Sequence, residues 1–199
     1  EGRRADHVKP IFLIMLMAAV VVLLSKLLLN GNVVGAALDV AHDGVGANAG
    51  TPGAEALIGL FTAVLDWMNR HYAMATLMLL PLEAAALKLA FKRFRTLNYP
   101  EWLVVTAFLT AQTFAIQALF IPLDRWLPIG RELWVLTFAL AYSFFSLIQF
   151  FDGYPRWKTA LRAILGFALY YIAQIALAAI PVVVYFVIDV ARAVSARHA

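Results

Sequence analysis

Three charged residues, Lys26, Glu83 and Lys88, interrupt apolar runs at 11–29, 73–91, 102–121, 133–151 and 163–188 that otherwise carry no charge. Glu83 matters most chemically. It sits in the middle of its run, and a carboxyl group at the centre of a hydrocarbon layer is costly enough to imply a purpose. Counting inward from the ends of the other runs puts Gln112, the pair Tyr142 and Ser143, and Gln174 at a similar depth. Four segments therefore offer a polar layer with one acid in it. In one reading Glu83 takes up a proton or binds a cation, and Gln112 and Gln174 hold it in place. In the other Glu83 stays neutral, and the amides and hydroxyls are interhelical links worth about 1 kcal/mol each. Lys26 and Lys88 lie within a turn of the ends of their runs, where their ammonium groups reach headgroups.

Other chemistry is poorly provided for. With no cysteine, the chain can build no disulfide, thiolate zinc site, cysteine nucleophile or iron–sulfur cluster of its own. His7, His42, His71 and His198 form no His-x-x-x-His or Glu-x-x-His pair, and Asp39, His42 and Asp43 make only a weak metal pattern. No phosphate-binding glycine loop, Gly-x-Ser-x-Gly elbow or spaced carboxylate pair occurs, so neither catalytic residues nor a cofactor are expected and the chain is read as non-enzymatic. The net charge of +4 and pI near 9.5 would point to nucleic acid in a soluble protein. Here the basic residues flank apolar segments and serve topology instead, so no nucleic-acid partner is expected.

The elements that must position Glu83 follow from composition. In this chain of 199 residues, 63% are hydrophobic and 14% charged, with mean hydropathy +0.81. A soluble domain is about half apolar and a quarter charged. Segments of about 20 apolar residues match a bilayer core of ~30 Å as helices, and a barrel would show alternating strands of ~10 residues. The expected fold is an all-α membrane protein, a single domain of five transmembrane helices. The first run exceeds the ~7–15 apolar residues of a cleaved signal and is expected to be retained. The chain opens at Glu1 rather than methionine, as a fragment or processed product would. The last run is long enough to tilt or bend, and Pro181, which lacks a backbone donor, is the natural place for it.

Basic residues set the orientation. Arg3, Arg4, Lys9, Lys88, Lys92, Arg93, Arg95, Arg156, Lys158 and Arg162 fall on one side of a five-span topology. Arg70, Arg125, Arg131, Arg192 and Arg197 fall on the other. The positive-inside rule then makes the N-terminus cytoplasmic and the C-terminus external. Lys88, Lys92, Arg93 and Arg95 also form a run suited to anionic lipid. Trp67, Trp102, Trp126, Trp134 and Trp157 all lie near expected interfaces. Between the first two spans, residues 30–53 are rich in Gly, Ala and Asn without a hydrophobic period and read as an irregular outer loop. Residues 52–70 differ: Glu55, Gly59, Thr62, Asp66 and Asn69 form a polar stripe opposite Leu57, Ile58, Leu60, Phe61, Val64, Leu65 and Met68. That is an amphipathic helix capped by Thr51 and Pro52, expected on the outer surface rather than across the membrane. No internal repeat is evident, which argues against a repeat-built transporter.

Two stretches carry a resemblance. One is the lead-in Glu1-Gly2-Arg3-Arg4 through Val8-Lys9-Pro10. The other runs from Leu80-Pro81-Leu82-Glu83-Ala84 through Phe91-Lys92-Arg93 to Tyr99-Pro100-Glu101-Trp102. Together they resemble a bacterial family of multi-pass membrane proteins of unknown function, whose longer members carry an N-terminal zinc ribbon. The ribbon is absent here, and Trp102 and Gln112 stand where members tend to have histidines. The resemblance implies the multi-pass architecture and a bacterial inner membrane, and it implies no activity.

The leading expectation is a non-enzymatic subunit or scaffold that packs against other membrane-protein subunits and lipid. The alternative is a small transporter or proton-coupled device built on the layer around Glu83, which requires a water-accessible cavity reaching that residue. The topology has its own test. A cysteine placed at Asp66 is expected to react with an impermeant thiol reagent from outside; labelling only from the cytoplasmic side would overturn both the helix placement and the five-span topology.

Overall fold

Helices account for nearly all of residues 9–29, 52–92, 97–126 and 131–197, which the computed structural model describes. Helix α1 spans Pro10–Leu28, α2 Pro52–Arg70, α3 Tyr72–Ala90, α4 Tyr99–Phe120, α5 Arg131–Phe150 and α6 Arg156–Arg197, with a 3-10 turn over Ile121–Trp126. Five of these helices, all except α2, are long and apolar enough to cross a membrane. The chain is an all-α membrane protein. Residues 30–51 of the expected loop, together with Arg93 and Arg95, lie outside the described residues.

Local sequence explains the boundaries. Helix α4 opens on Asn98, whose backbone N–H donates to the Glu101 carboxylate at 2.6 Å, with Pro100 in the first turn where no donor is needed. Helix α6 differs from expectation. It starts at Arg156 rather than near residue 163. The reason lies in the α5–α6 turn, where Gly153 adopts φ +98°, a conformation glycine takes without strain. The Pro155 carbonyl then accepts the N–H groups of Lys158 and Thr159 at 2.9 and 3.2 Å, starting the helix among basic residues. The helical assignment continues past Pro181 to Arg197.

Helices α3, α4, α5 and α6 form a ring, each packed against the next, with α6 returning to α3. Helix α1 lies outside this ring against α4. Its buried stripe of Ile14, Ala18 and Val21 meets Ala107, Ala111 and Phe114 on α4. Both stripes step by four and then three residues, the spacing that keeps one helical face on another. The opposite face of α1 exposes Ile11, Phe12, Met15, Leu23 and Leu27, the surface a lipid-facing helix presents.

At one end the ring is filled by aromatic rings. Phe91 stacks on Phe151 at 4.9 Å and tilts against Trp102 at 5.3 Å, and Leu87, Leu147 and Ala163 pack around them. Trp102 is thus a core residue, only 1% exposed, and not the interface residue its position in the sequence suggests. It lies in the first turn of α4 but points inward, because the turn from α3 brings Phe91 beside it. Trp126 and Trp157, 69% and 63% exposed, do face outward.

Helix α2 takes the extent the sequence implies and touches α3 through only part of its length. Leu65 is buried, whereas Leu60, Phe61, Val64 and Trp67 are exposed. His71 forms the joint with α3, stacking on Trp67 at 5.2 Å.

Helices α3 and α6 approach closely where small residues line up, as membrane helices do in place of hydrophobic driving force. A Cβ on Gly166 would stand 2.5 Å from Leu87 Cδ2 and 3.4 Å from Ala90 Cβ. Gly166→Leu is therefore expected to push α6 off α3 and lower stability by about 1–3 kcal/mol, the range for overpacking. Gly59→Ala, whose new Cβ meets nothing within 4 Å, should be neutral or slightly stabilising. Thermal unfolding of both variants in detergent checks the contrast.

Candidate functional site

Residues one helical face apart on α3, namely Tyr72, Thr76, Leu79 and Glu83, point into the middle of the four-helix ring. Thr110, Thr113 and Phe114 of α4 face them, Ala139 and Ser143 of α5 close a third side, and Phe167, Tyr170, Tyr171 and Gln174 of α6 a fourth. They line a half-open cavity of about 260 Å³.

The cavity is lopsided along the bundle. Glu83 and Ser143 lie toward the aromatic plug, and Tyr72, Leu136 and Gln174 toward the opposite end. From Tyr72 to Glu83 is about 16 Å of helix rise. Past Glu83, the chain continues into Leu87, Ala90 and Phe91, all buried in the plug. One end of the ring is thus solid and the other hollow.

Glu83 itself is 9% exposed. It accepts one hydrogen bond, from the Thr110 hydroxyl at 3.3 Å. Among the described residues no cation pairs with it; the ion pairs there join Arg131 to Asp124 and Glu132 at 3.9 and 2.8 Å. Arg131 is 4% exposed and opens α5, about one and a half turns before Leu136, at the hollow end of the ring. Its two acidic partners offset its charge. Other polar groups are already committed. The Tyr72 hydroxyl donates to Gln117 Oε1 at 2.7 Å, and the Thr76 and Thr113 hydroxyls donate back to the carbonyls of Tyr72 and Leu109 at 2.9 and 3.1 Å. Tyr170 and Gln174 lie one turn apart on α6.

The structure brings together three of the five residues that the sequence places in a polar layer: Glu83, Ser143 and Gln174. Tyr142 and Gln112 stand apart. Consecutive residues of a helix point about 100° apart, so with Ser143 turned inward Tyr142 faces out, 46% exposed and beside Phe145. Gln112 is likewise off the Thr110–Thr113 face and accepts a hydrogen bond from Ser146 of α5 at 3.4 Å. Reasoning by depth missed Tyr72, Thr76, Thr110, Thr113, Tyr170 and Tyr171. Helical spacing would have found several of them, since Tyr72, Thr76 and Glu83 are four and seven apart and Thr110 and Thr113 are three apart.

In the basic run, Lys88 and Lys92 are exposed, with the Lys88 ammonium 5.7 Å from the centre of the Tyr99 ring. Among the described residues no group of three or more His, Asp or Glu is placed to hold a metal, and Asp39, His42 and Asp43 lie outside those residues.

No family model matches the chain, and neither a curated protein nor a solved structure matches it.

The Glu83–Thr110 link is open to direct measurement. Thr110→Val keeps the shape but removes the donor, and is expected to cost about 1–2 kcal/mol. In a Glu83→Leu background the same change should cost nearly nothing, because the bond is already gone. A double-mutant cycle read by thermal unfolding checks this.

Proposed function

We propose that this chain is a small membrane transporter or proton-coupled device in which a solute or proton enters the four-helix cavity from the hollow end and meets Glu83 at its floor. The observation that carries the reading is a carboxyl group with no counter-charge among the described residues, lining a cavity between four spans and backed by an aromatic plug. A purely structural acid has no need of a cavity. An acid that exchanges its proton or cation does, because it must communicate with water on one side at a time.

The positive-inside rule orients the proposal. With Lys88, Lys92, Arg156 and Lys158 beside the plug, the plug is cytoplasmic and the cavity faces outward, with the N-terminus inside and the C-terminus outside. The family resemblance adds a bacterial inner membrane as the setting.

A second reading, a scaffold subunit for a larger membrane assembly, draws support from α6. At 42 residues that helix is about 63 Å long, twice a ~30 Å hydrocarbon core. Beyond Ile180 it exposes Val183, Val184 and Val187, apolar surface that suits a neighbouring protein.

Cysteine accessibility separates the two. The chain has no native cysteine, so a single one reports cleanly. Ser143→Cys, at a cavity position, is expected to react from the outside with a small impermeant methanethiosulfonate, and Leu147→Cys, one turn deeper in the plug, to resist it from both sides. Resistance at both positions would overturn the transporter reading in favour of the scaffold. Reaction of Ser143→Cys from the cytoplasm alone would reverse the orientation.

A further inference from the structure

A cavity is selective through what its walls offer, and on the α3 and α4 walls the hydroxyls are already committed as donors. Tyr72 donates to Gln117, Thr76 and Thr113 to backbone carbonyls, and Thr110 to Glu83. What they leave facing the cavity is oxygen lone pairs. Glu83 adds a carboxyl group with no cationic partner among the described residues. Among the described residues no Lys, Arg or His lines the space. An anion would meet a carboxyl group at the floor with no cation to offset it.

Much of the remaining surface is aromatic. Phe114, Phe167, Tyr170 and Tyr171 line the same cavity, together with Tyr72. The faces of such rings carry negative charge density and attract ammonium groups, more strongly where water is scarce. Arg131, at the hollow end, is held by Asp124 and Glu132.

We infer that the cavity binds a small organic ammonium ion, its charged head against Glu83 and the Thr110 side of the cavity and its apolar body between Phe114, Phe167 and the tyrosines of α6. The volume of about 260 Å³ admits a primary amine carrying a single aromatic ring, a molecule of about nine heavy atoms. The ammonium supplies the counter-charge that Glu83 lacks among the described residues. This rests on the cavity being open as proposed above, and it goes further by naming the ligand class.

Three probes of one shape and different charge test it: phenethylammonium, the neutral phenethyl alcohol and the anionic phenylacetate. The purified chain in detergent is expected to be thermally stabilised by millimolar phenethylammonium, with at least tenfold weaker response to the alcohol and none to the carboxylate. Glu83→Gln, unfolding at the same temperature as the parent without ligand, should lose the preference for the ammonium. Should that variant not fold, Tyr171→Leu provides the second measurement and is expected to weaken ammonium binding several-fold. Equal binding of alcohol and ammonium, or an undiminished ammonium preference in either folded variant, overturns the inference. The failure of the underlying reading looks different: Ser143→Cys would then be unreactive even without a probe, whereas a reactive Ser143→Cys that phenethylammonium does not protect sinks the ligand class alone.

Discussion

A carboxyl group inside a lipid-embedded bundle must be supplied with partners by the protein, and the placement of Glu83 governs the arrangement around it. Burying it without a partner would cost several kcal/mol. Helix α4 meets part of that demand with the Thr110 hydroxyl. The rest of Glu83 faces the cavity that it lines. The same requirement explains the threonines. In a helix surrounded by hydrocarbon, a hydroxyl has its own backbone carbonyl one turn earlier as a ready acceptor, and Thr76, Thr106 and Thr113 all use it. Polar side chains can therefore line the interior without stranding a donor.

The two ends of the ring solve opposite problems. Around Phe91, Trp102 and Phe151 the helices are drawn together by stacked rings and by the Gly166 and Ala163 contact with α3. Close approach leaves no room for water. Toward Tyr72 the interior residues are tyrosines, threonines and a glutamine, which do not fill the axis. Helix α1 stiffens α4 from outside through Ile14, Ala18 and Val21, and the tyrosine–glutamine bond between Tyr72 and Gln117 ties α3 to α4 near the hollow end. The space is framed on both sides by fixed contacts.

How much of this was legible follows from what each signal measures. Hydropathy reports desolvation along the chain, so the spans containing Glu83 and Thr110 were readable to within a few residues, and Glu83 stood out because one charge in an apolar run is conspicuous. Depth along a helix is also linear in sequence, which is why Ser143 and Gln174 were found. Azimuth is not. Whether Gln112 or Thr113 faces the axis depends on which helices are neighbours, and that is a tertiary fact. Trp102 shows the same limit: its distance from the helix end suggests an interface, while its partner Phe91 comes from another helix. The early start of α6 was hidden because Arg156, Lys158 and Arg162 lower the hydropathy of a turn that Gly153 and Pro155 make helical regardless.

The length of α6 gives the bundle a mechanical property. From Phe167 at the cavity to Arg197 the helix runs about 45 Å, so it acts as a lever whose fulcrum is the close contact with α3. A tilt of about 10° at that fulcrum displaces the far tip by about 8 Å, several times any movement at the cavity wall itself. Pro181, lacking the N–H that would bond the carbonyl one turn earlier, is the point where such a rod yields first. A tilt at that fulcrum would thereby be amplified into a displacement at the end of α6 farthest from the plug.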